Sequence, residues 1–168
     1  MKYFLDTEFI EDGQTITLLS LALVAEDGRE FYQENYQASV FIEKANLWVQ
    51  QNVFPHLQMV EQDKYGFLIR RKSLARSKQE IREGILSFIG QDIPEFWGYY
   101  CDYDWVIFCQ LFGTMMDLPK GWPMYCRDLQ QALDALDLSY LKQTDDMPHH
   151  ALSDARWISE TYKKEVVC

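Results

Sequence analysis

The sequence predicts an α/β fold in which a mixed β-sheet carries helices on both faces. Three segments rich in β-branched and aromatic residues, residues 2–9, 14–24 and 29–36, have the pattern of strands. An Asp-Gly dipeptide lies in each of the two intervening segments and favours a tight turn, so these strands should form an antiparallel meander. From residue 46 onward, helical and strand patterns alternate, which adds further strands joined through helices.

Helix signals follow in order along the rest of the chain. Asn46 is a favourable N-cap for a first helix, and Ser77 with Glu80 forms a capping box that opens a second helix running through Ile89. Gly113 stands where a glycine ends a third helix. Helices are predicted over residues 46–57, 104–112, 128–136 and 150–164, and short strands over residues 95–101 and 124–127.

The composition is that of one globular domain spanning residues 1–168. The longest nearly apolar run, residues 18–25, is far shorter than the roughly 20 residues of a membrane helix, so we expect no membrane contact. No basic segment leads into an apolar signal core, which favours a cytoplasmic location. The four cysteines form no Cys-x-x-Cys pair and are expected to be buried thiols.

The formal net charge of −10 argues against a protein that coats nucleic acid by bulk electrostatics. The excess of carboxylates can serve solubility alone. Alternatively, some of these carboxylates hold divalent cations, which would reverse the charge that a substrate phosphate meets.

The first candidate site residues are Asp6 and Glu8, two positions apart on the first predicted strand. This spacing puts both carboxylates on one face, with Cα atoms about 6.6 Å apart. Like charges this close raise each other's pKa unless a cation compensates, so the pair is a plausible half of a metal site. An exposed edge strand carries such pairs as well, and that alternative stays open.

Asp104 is the second candidate, at the junction of an aromatic strand and a helix, where it could equally be an N-cap. Asp102 competes for any acidic role here. The aromatic residues around this junction are predicted to lie mostly in the core, because alternation sends their side chains to both faces of a covered sheet. They are Phe96, Trp97, Tyr99, Tyr100, Tyr103 and Trp105.

The third candidate segment is His149 to Asp154, which follows Pro148 and opens the last helix. The two side chains share a face only if His149 lies in the loop before the first turn, an arrangement that Pro148 favours. A surface or capping histidine is the plainer alternative. Four carboxylates on three elements, together with one imidazole as general base, suit two-metal phosphodiester hydrolysis.

In these motifs the sequence resembles the DEDDh 3′-to-5′ exonucleases, which have the RNase H-like fold. The resemblance rests on DTE at Asp6 to Glu8, YD at Tyr103-Asp104 and HxAxxD at His149 to Asp154. Longer phrases are similar to the small bacterial exoribonucleases typified by the adenosine-preferring RNase AS, and the likeness runs from residue 1 to about residue 164. These phrases are FWGYYCDYDW, CQLFG, MDLPKGWPMYCRDL and HHALSDARW.

The resemblance implies two divalent cations, Mg²⁺ or Mn²⁺, and a role for each motif residue. Asp6 would bridge both ions, Glu8 and Asp154 would complete the tighter site, Asp104 would hold the second ion, and His149 would be the general base. His150 departs from the wider group, which often has Gly or Asn there. Which histidine reaches the water is therefore open, although the spacing favours His149.

Substrate contacts are expected from Phe9 and from a basic segment. Phe9 is similar in position to residues that pack on the terminal base in this superfamily, but it could equally be a core residue. Residues 64–79 carry six basic and no acidic side chains, among them Arg70 and Arg71, and form either a solvated loop or a phosphate-gripping loop. Because relatives such as RNase T are dimeric, a homodimer is expected.

The sequence thus predicts a 3′-to-5′ exoribonuclease that releases nucleoside 5′-monophosphates from single-stranded RNA. A DNA exonuclease of the proofreading or repair type is the alternative within the same chemistry. A catalytically silent nucleic-acid-binding scaffold on the same fold is a third reading.

Overall fold

A computed structural model describes residues 1–40, 44–62, 68–70, 74–138, 141, 143 and 147–167. Within them the chain forms seven strands and five α-helices. The strands are β1 (Lys2–Glu11), β2 (Ile16–Ala25), β3 (Glu30–Glu34), β4 (Val60–Gln62), β5 (Leu68–Arg70), β6 (Glu95–Gly98) and β7 (Arg127–Asp128). The helices are α1 (Leu47–Asn52), α2 (Lys78–Ile89), α3 (Asp102–Phe112), α4 (Leu129–Ala135) and α5 (Ala151–Thr161).

Five strands make one mixed sheet in the order β3-β2-β1-β6-β7. β1 pairs antiparallel with β2 and β2 antiparallel with β3, as the Asp-Gly turns predict, whereas β6 runs parallel to both β1 and β7. The predicted α/β fold with a mixed sheet is therefore confirmed, and the arrangement is consistent with an RNase H-like fold. β4 and β5 form a separate antiparallel hairpin that the sequence pattern does not predict.

Helices cover both faces of the sheet, as predicted. On one face α2 and α3 pack on Tyr3, Leu5 and Leu21. On the other, α4 and α5 pack on Phe4 and Ala22. The alternation of β1 explains this division, because Tyr3 and Leu5 point to one side and Phe4 to the other. A third apolar cluster attaches α1 to the ends of β1 and β2; its buried members include Ile10, Leu19, Val49, Val53 and Phe54.

Element ends differ from the predictions where local geometry overrides the pattern. The helix predicted over residues 46–57 ends at Asn52 and is followed by the 3₁₀ turn Phe54–His56. Pro55 has no N–H to continue α-helical hydrogen bonding, which accounts for the change. The last helix is α-helical only to Thr161 and continues as the π-helical turn Tyr162–Val166.

The junction between β6 and α3 also departs from the prediction. β6 ends at Gly98, and α3 starts at Asp102 with Cys101 as its N-cap residue. Asp104 therefore lies inside the first turn of α3, and the alternative of Asp104 as an N-cap is wrong. Tyr100, with a φ of 51°, makes the turn between the two elements.

The burial of the cysteines is as predicted for two of them. Cys101 and Cys109 are buried, Cys126 is half-buried, and Cys168 lies outside the described residues. In the part of the chain that the structure describes, no helix is long and apolar enough to cross a membrane.

Candidate active site

Three carboxylates from two elements meet at the centre of the sheet. Asp6 and Glu8 on β1 and Asp154 in the first turn of α5 each offer an oxygen, and these oxygens lie within 4.8 Å of one another. Glu8 and Asp154 are buried and Asp6 is half-buried. We call these three residues the carboxylate cluster.

Alternation along β1 explains how the carboxylate cluster forms. Asp6 and Glu8 share the face of Phe4, and Phe4 packs on the same side of the sheet as α5. The first turn of α5 therefore brings Asp154 over the two strand carboxylates. A register irregularity between Glu8 and Phe9 shifts the pairing of β1 with β2 just after the second carboxylate.

The donor set of the carboxylate cluster fits a hard divalent cation. Two unit charges 4.8 Å apart repel by about 3.5 kcal/mol at an effective dielectric constant of about 20, so the cluster is unfavourable without compensation. Oxygens bound to one Mg²⁺ at about 2.1 Å lie at most about 4.2 Å apart, so small side-chain rotations would bring the cluster to that geometry.

Asp104 is buried with 7% of its surface exposed and is not a member of the carboxylate cluster. Its Oδ1 accepts hydrogen bonds from the Thr7 N–H at 2.8 Å and from the Thr7 hydroxyl at 2.5 Å. Burial raises the pKa of Asp104 to about 6, although the two Thr7 donors oppose the shift. Because Thr7 lies between Asp6 and Glu8, Asp104 is joined to the cluster through the backbone of β1.

The start of α3 is held by backbone and carboxylate contacts that fix Asp104. The Cys101 N–H donates to Oδ2 of Asp128 at 2.9 Å, and Oδ1 of Asp128 accepts from the Gln131 N–H at the start of α4. Gly98 allows the close approach of this turn, because a Cβ there would lie 2.4 Å from Cβ of Cys101. Asp102 is exposed, as expected for a residue outside the motif.

His149 approaches the cluster through its backbone. Its φ of 65° lies in the left-handed region, and its N–H donates to Oδ2 of Asp154 at 3.2 Å. The imidazole packs edge to face on the indole of Trp48, with ring centroids 4.7 Å apart. Oδ1 of Asp154 accepts from the side-chain amide of Gln143 at 2.6 Å, so both oxygens have protein partners.

His150 is directed elsewhere. Its ring stacks on Tyr32, with centroids 4.9 Å apart, and its buried Nδ1 has no hydrogen-bond partner among the described residues. Burial and the neighbouring His56 lower the pKa of His150. Its carbonyl accepts the Asp154 N–H at 3.1 Å, so its backbone belongs to the first turn of α5.

An aromatic surface lies beside β1. Phe9 is half-buried, and its ring packs edge to face with the ring of Tyr103, with centroids 5.8 Å apart. Tyr100 and Tyr103 are exposed, so the prediction of a core position is wrong for these two, because Tyr100 lies in the turn after β6 and Tyr103 in the first turn of α3. It is right for Phe96, Trp97 and Trp105, which are buried.

The remaining predicted substrate residues are only partly described. Arg70 ends β5, where its backbone pairs with Val60, and Arg71 lies outside the described residues. Sequence reasoning also missed three residues that contact the site: Thr7, Trp48 and Gln143. Thr7 carries a signal, since it is enclosed by the two acidic residues of the DTE motif, whereas Trp48 and Gln143 are brought in only by the fold.

Comparison with known proteins identifies the family. Residues 1–165 match the 3′-5′ exoribonuclease Rv2179c-like domain. Two relatives from Mycobacterium tuberculosis, named 3′-5′ exoribonuclease MT2234.1 (strain CDC 1551 / Oshkosh) and 3′-5′ exoribonuclease Rv2179c (strain ATCC 25618 / H37Rv), are each 38% identical over 159 residues. Each alignment covers 93% of this chain and 88% of the relative. The chain therefore belongs to the Rv2179c-like family of 3′-5′ exoribonuclease domains.

Proposed function

We propose that this protein is a 3′-to-5′ exoribonuclease that uses two divalent cations to release nucleoside 5′-monophosphates from single-stranded RNA. The observation that carries the proposal is the convergence of Asp6, Glu8 and Asp154 within 4.8 Å in a member of this family. DEDDh chemistry with a preference for adenosine is the specific form that the sequence motifs support.

The side chains have separate tasks in this proposal. Asp6, Glu8 and Asp154 would hold one cation, and Asp104 together with Asp6 would hold the second, directly or through water. Bound cations of this kind stabilise the charge that develops on the attacking and leaving oxygens. Thr7 donates two hydrogen bonds to Asp104, so a residue of β1 orients the Asp104 carboxylate.

His149 acts as the general base. A water oxygen forms a bond to phosphorus, the bond from phosphorus to the 3′ oxygen breaks, and the imidazole of His149 takes the proton of the water. The 3′ oxygen of the shortened RNA takes a proton from solvent, which leaves a 3′ hydroxyl and a free 5′-monophosphate. Two observations support His149 over His150: the backbone N–H of His149 donates to Asp154, and the ring of His150 is stacked on Tyr32.

The activity test uses RNA labelled at its 5′ end and incubated with Mg²⁺ or Mn²⁺. We expect a ladder of progressively shortened labelled RNA and mononucleotides bearing a 5′ phosphate, identified by mass spectrometry, and no reaction in EDTA. Asp6→Asn and His149→Gln should lower kcat at least about 100-fold. Asp102→Asn and His150→Gln are the matched controls and should retain most activity.

Internal cleavage, activity in EDTA or full activity of His149→Gln would contradict this mechanism. Equal mixtures of RNA and DNA oligomers of one sequence test the alternative of a DNA exonuclease. Binding of RNA without hydrolysis in saturating Mn²⁺ would support the silent scaffold instead. Oligomers of adenosine, uridine and cytidine of equal length test the base preference.

Substrate grip is assigned to Phe9 and to Arg70 and Arg71. Phe9 would pack on the terminal base, where stacking contributes roughly 1 to 3 kcal/mol. Charge reversal of both arginines to Glu should weaken RNA binding and reduce the slope of log Kd against log salt by about 0.7 for each lost phosphate contact. The same reversal at Lys163 and Lys164 is the control, and an unchanged slope in the arginine variant would exclude the grip.

Two further properties belong to the proposal. The protein would be a homodimer, which analytical ultracentrifugation tests, and a monomer with full activity would exclude any need for a partner. It would act in the cytoplasm, which cell fractionation tests.

A further inference from the structure

The imidazole of His149 belongs to a residue with an unusual backbone. A φ of 65° is rare for a residue with a Cβ, and the N–H bond to Asp154 fixes the main chain and leaves χ1 and χ2 of the side chain undetermined. A general base must keep its nitrogen within hydrogen-bond reach of the proton that it removes. Something besides the backbone must therefore orient the ring.

Trp48 makes a contact suited to that task. The two ring planes lie at 75° with centroids 4.7 Å apart, which is the edge-to-face geometry that aromatic pairs prefer. Such a contact limits rotation of the imidazole.

The backbone of α1 around Trp48 is anchored by hydrogen bonds and packing, although the Trp48 side chain is exposed. Oδ1 of Asn46 caps α1 by accepting the Val49 N–H at 2.9 Å, and Val49 is buried in the third apolar cluster. The side chain of Asn52 donates to the Trp48 carbonyl at 2.8 Å. Yet 53% of the surface of Trp48 is exposed, so Trp48 is not a core residue.

We propose that Trp48 is a positioning residue that holds the His149 imidazole in its reactive orientation. This inference rests on the proposed role of His149 as general base. Trp48 acts through His149 and makes no chemical step of its own. Loss of an aromatic pair of this kind corresponds to a fall in kcat of about two- to tenfold with KM unchanged.

A double-mutant cycle tests the proposal. Trp48→Ala should lower kcat about two- to tenfold in the wild-type background and have no further effect in a His149→Gln background. Trp48→Phe should restore most of kcat, because a phenyl ring can keep the edge-to-face contact. Leu47→Ala is the matched control, since Leu47 precedes Trp48 on the same helix and its side chain is 72% exposed.

The ring orientation can be observed without activity. The chain has three histidines, so imidazole C–H resonances can be assigned by comparing wild type with His149→Gln. Trp48→Ala should shift the His149 resonances through loss of the indole ring current, whereas Leu47→Ala should not. Thermal melting of each variant shows whether it is folded.

The outcomes separate this inference from the proposed function. Full activity of His149→Gln would overturn the base role itself. A large loss in His149→Gln with unchanged kcat in Trp48→Ala would overturn only the positioning role. An equal loss from Trp48→Ala in both backgrounds, or unchanged His149 resonances, would also overturn it, because Trp48 would then act independently of the imidazole.

Discussion

Asp104→Asn should make the metal-free protein more stable while abolishing its activity. The carboxyl group of Asp104 is buried, and burial raises its pKa to about 6 from the ordinary value of 3.8. A carboxyl group with a raised pKa binds its proton more tightly in the folded protein than in the unfolded chain. The stability that it contributes in acid is therefore lost as the pH rises through about 6.

The size of the effect follows from the two pKa values. They differ by about 2 pH units, and each unit corresponds to about 1.4 kcal/mol, so ionised Asp104 costs up to about 3 kcal/mol at pH 7.5. Asn carries no charge, and its amide oxygen can accept both Thr7 donors. Asp104→Asn should therefore raise the free energy of unfolding by up to about 3 kcal/mol at pH 7.5 and by about half of that at pH 5.

Urea unfolding followed by circular dichroism at the two pH values measures this difference, with EDTA present. Asp102→Asn is the control, because the exposed Asp102 should change stability little at either pH. An Asp104→Asn variant that is no more stable than the wild type at pH 7.5, or whose advantage does not shrink in acid, would refute a raised pKa at Asp104. Hydrolysis of RNA by the same variant should be lost.

Three further perturbations test other parts of the structure. Ser77→Ala removes a capping box with Glu80 and should cost about 1 kcal/mol of unfolding free energy with kcat unchanged; a calorimetric melt at the wild-type temperature would argue against the cap. Gly98→Ala places a Cβ 2.4 Å from that of Cys101 and should cost about 1 to 3 kcal/mol and lower activity, whereas a wild-type melt and rate would show that the turn can yield. Mn²⁺ at a hundred times its Kd should stabilise the wild type by about 2.7 kcal/mol but not Asp6→Asn, and equal stabilisation of both would exclude the carboxylate cluster as its site.

Features set by local chemistry could be predicted from the sequence. The Asp-Gly turns specify the antiparallel meander, and alternation correctly places Asp6 and Glu8 on one face. The convergence of Asp154 with them is a long-range contact. It is predicted only from the resemblance of the three motifs, in their order along the chain, to those of the DEDDh exonucleases. Prediction is weakest at element boundaries, as in the helix that ends before Pro55, where one residue without a backbone N–H outweighs an apolar pattern.

The finer arrangement of the site could not be predicted. Nothing local to Asp104 shows that its carboxylate bonds to Thr7 and stays outside the cluster, because that depends on how α3 packs on β1. The contact between Trp48 and His149 likewise joins two segments distant in sequence through the packing of α1. A single sequence carries the residue types of such contacts but not their pairing.

Asp128 connects two helices that lie on opposite faces of the sheet. Its two carboxylate oxygens accept hydrogen bonds from backbone N–H groups at the starts of α3 and α4, and those helices pack on opposite faces of the sheet. A single side chain at the edge of the sheet thus joins the helix layers on the two faces of the sheet. Disturbance of α4 should consequently reach Asp104 around that edge, through Asp128 and the Cys101 N–H at the start of α3.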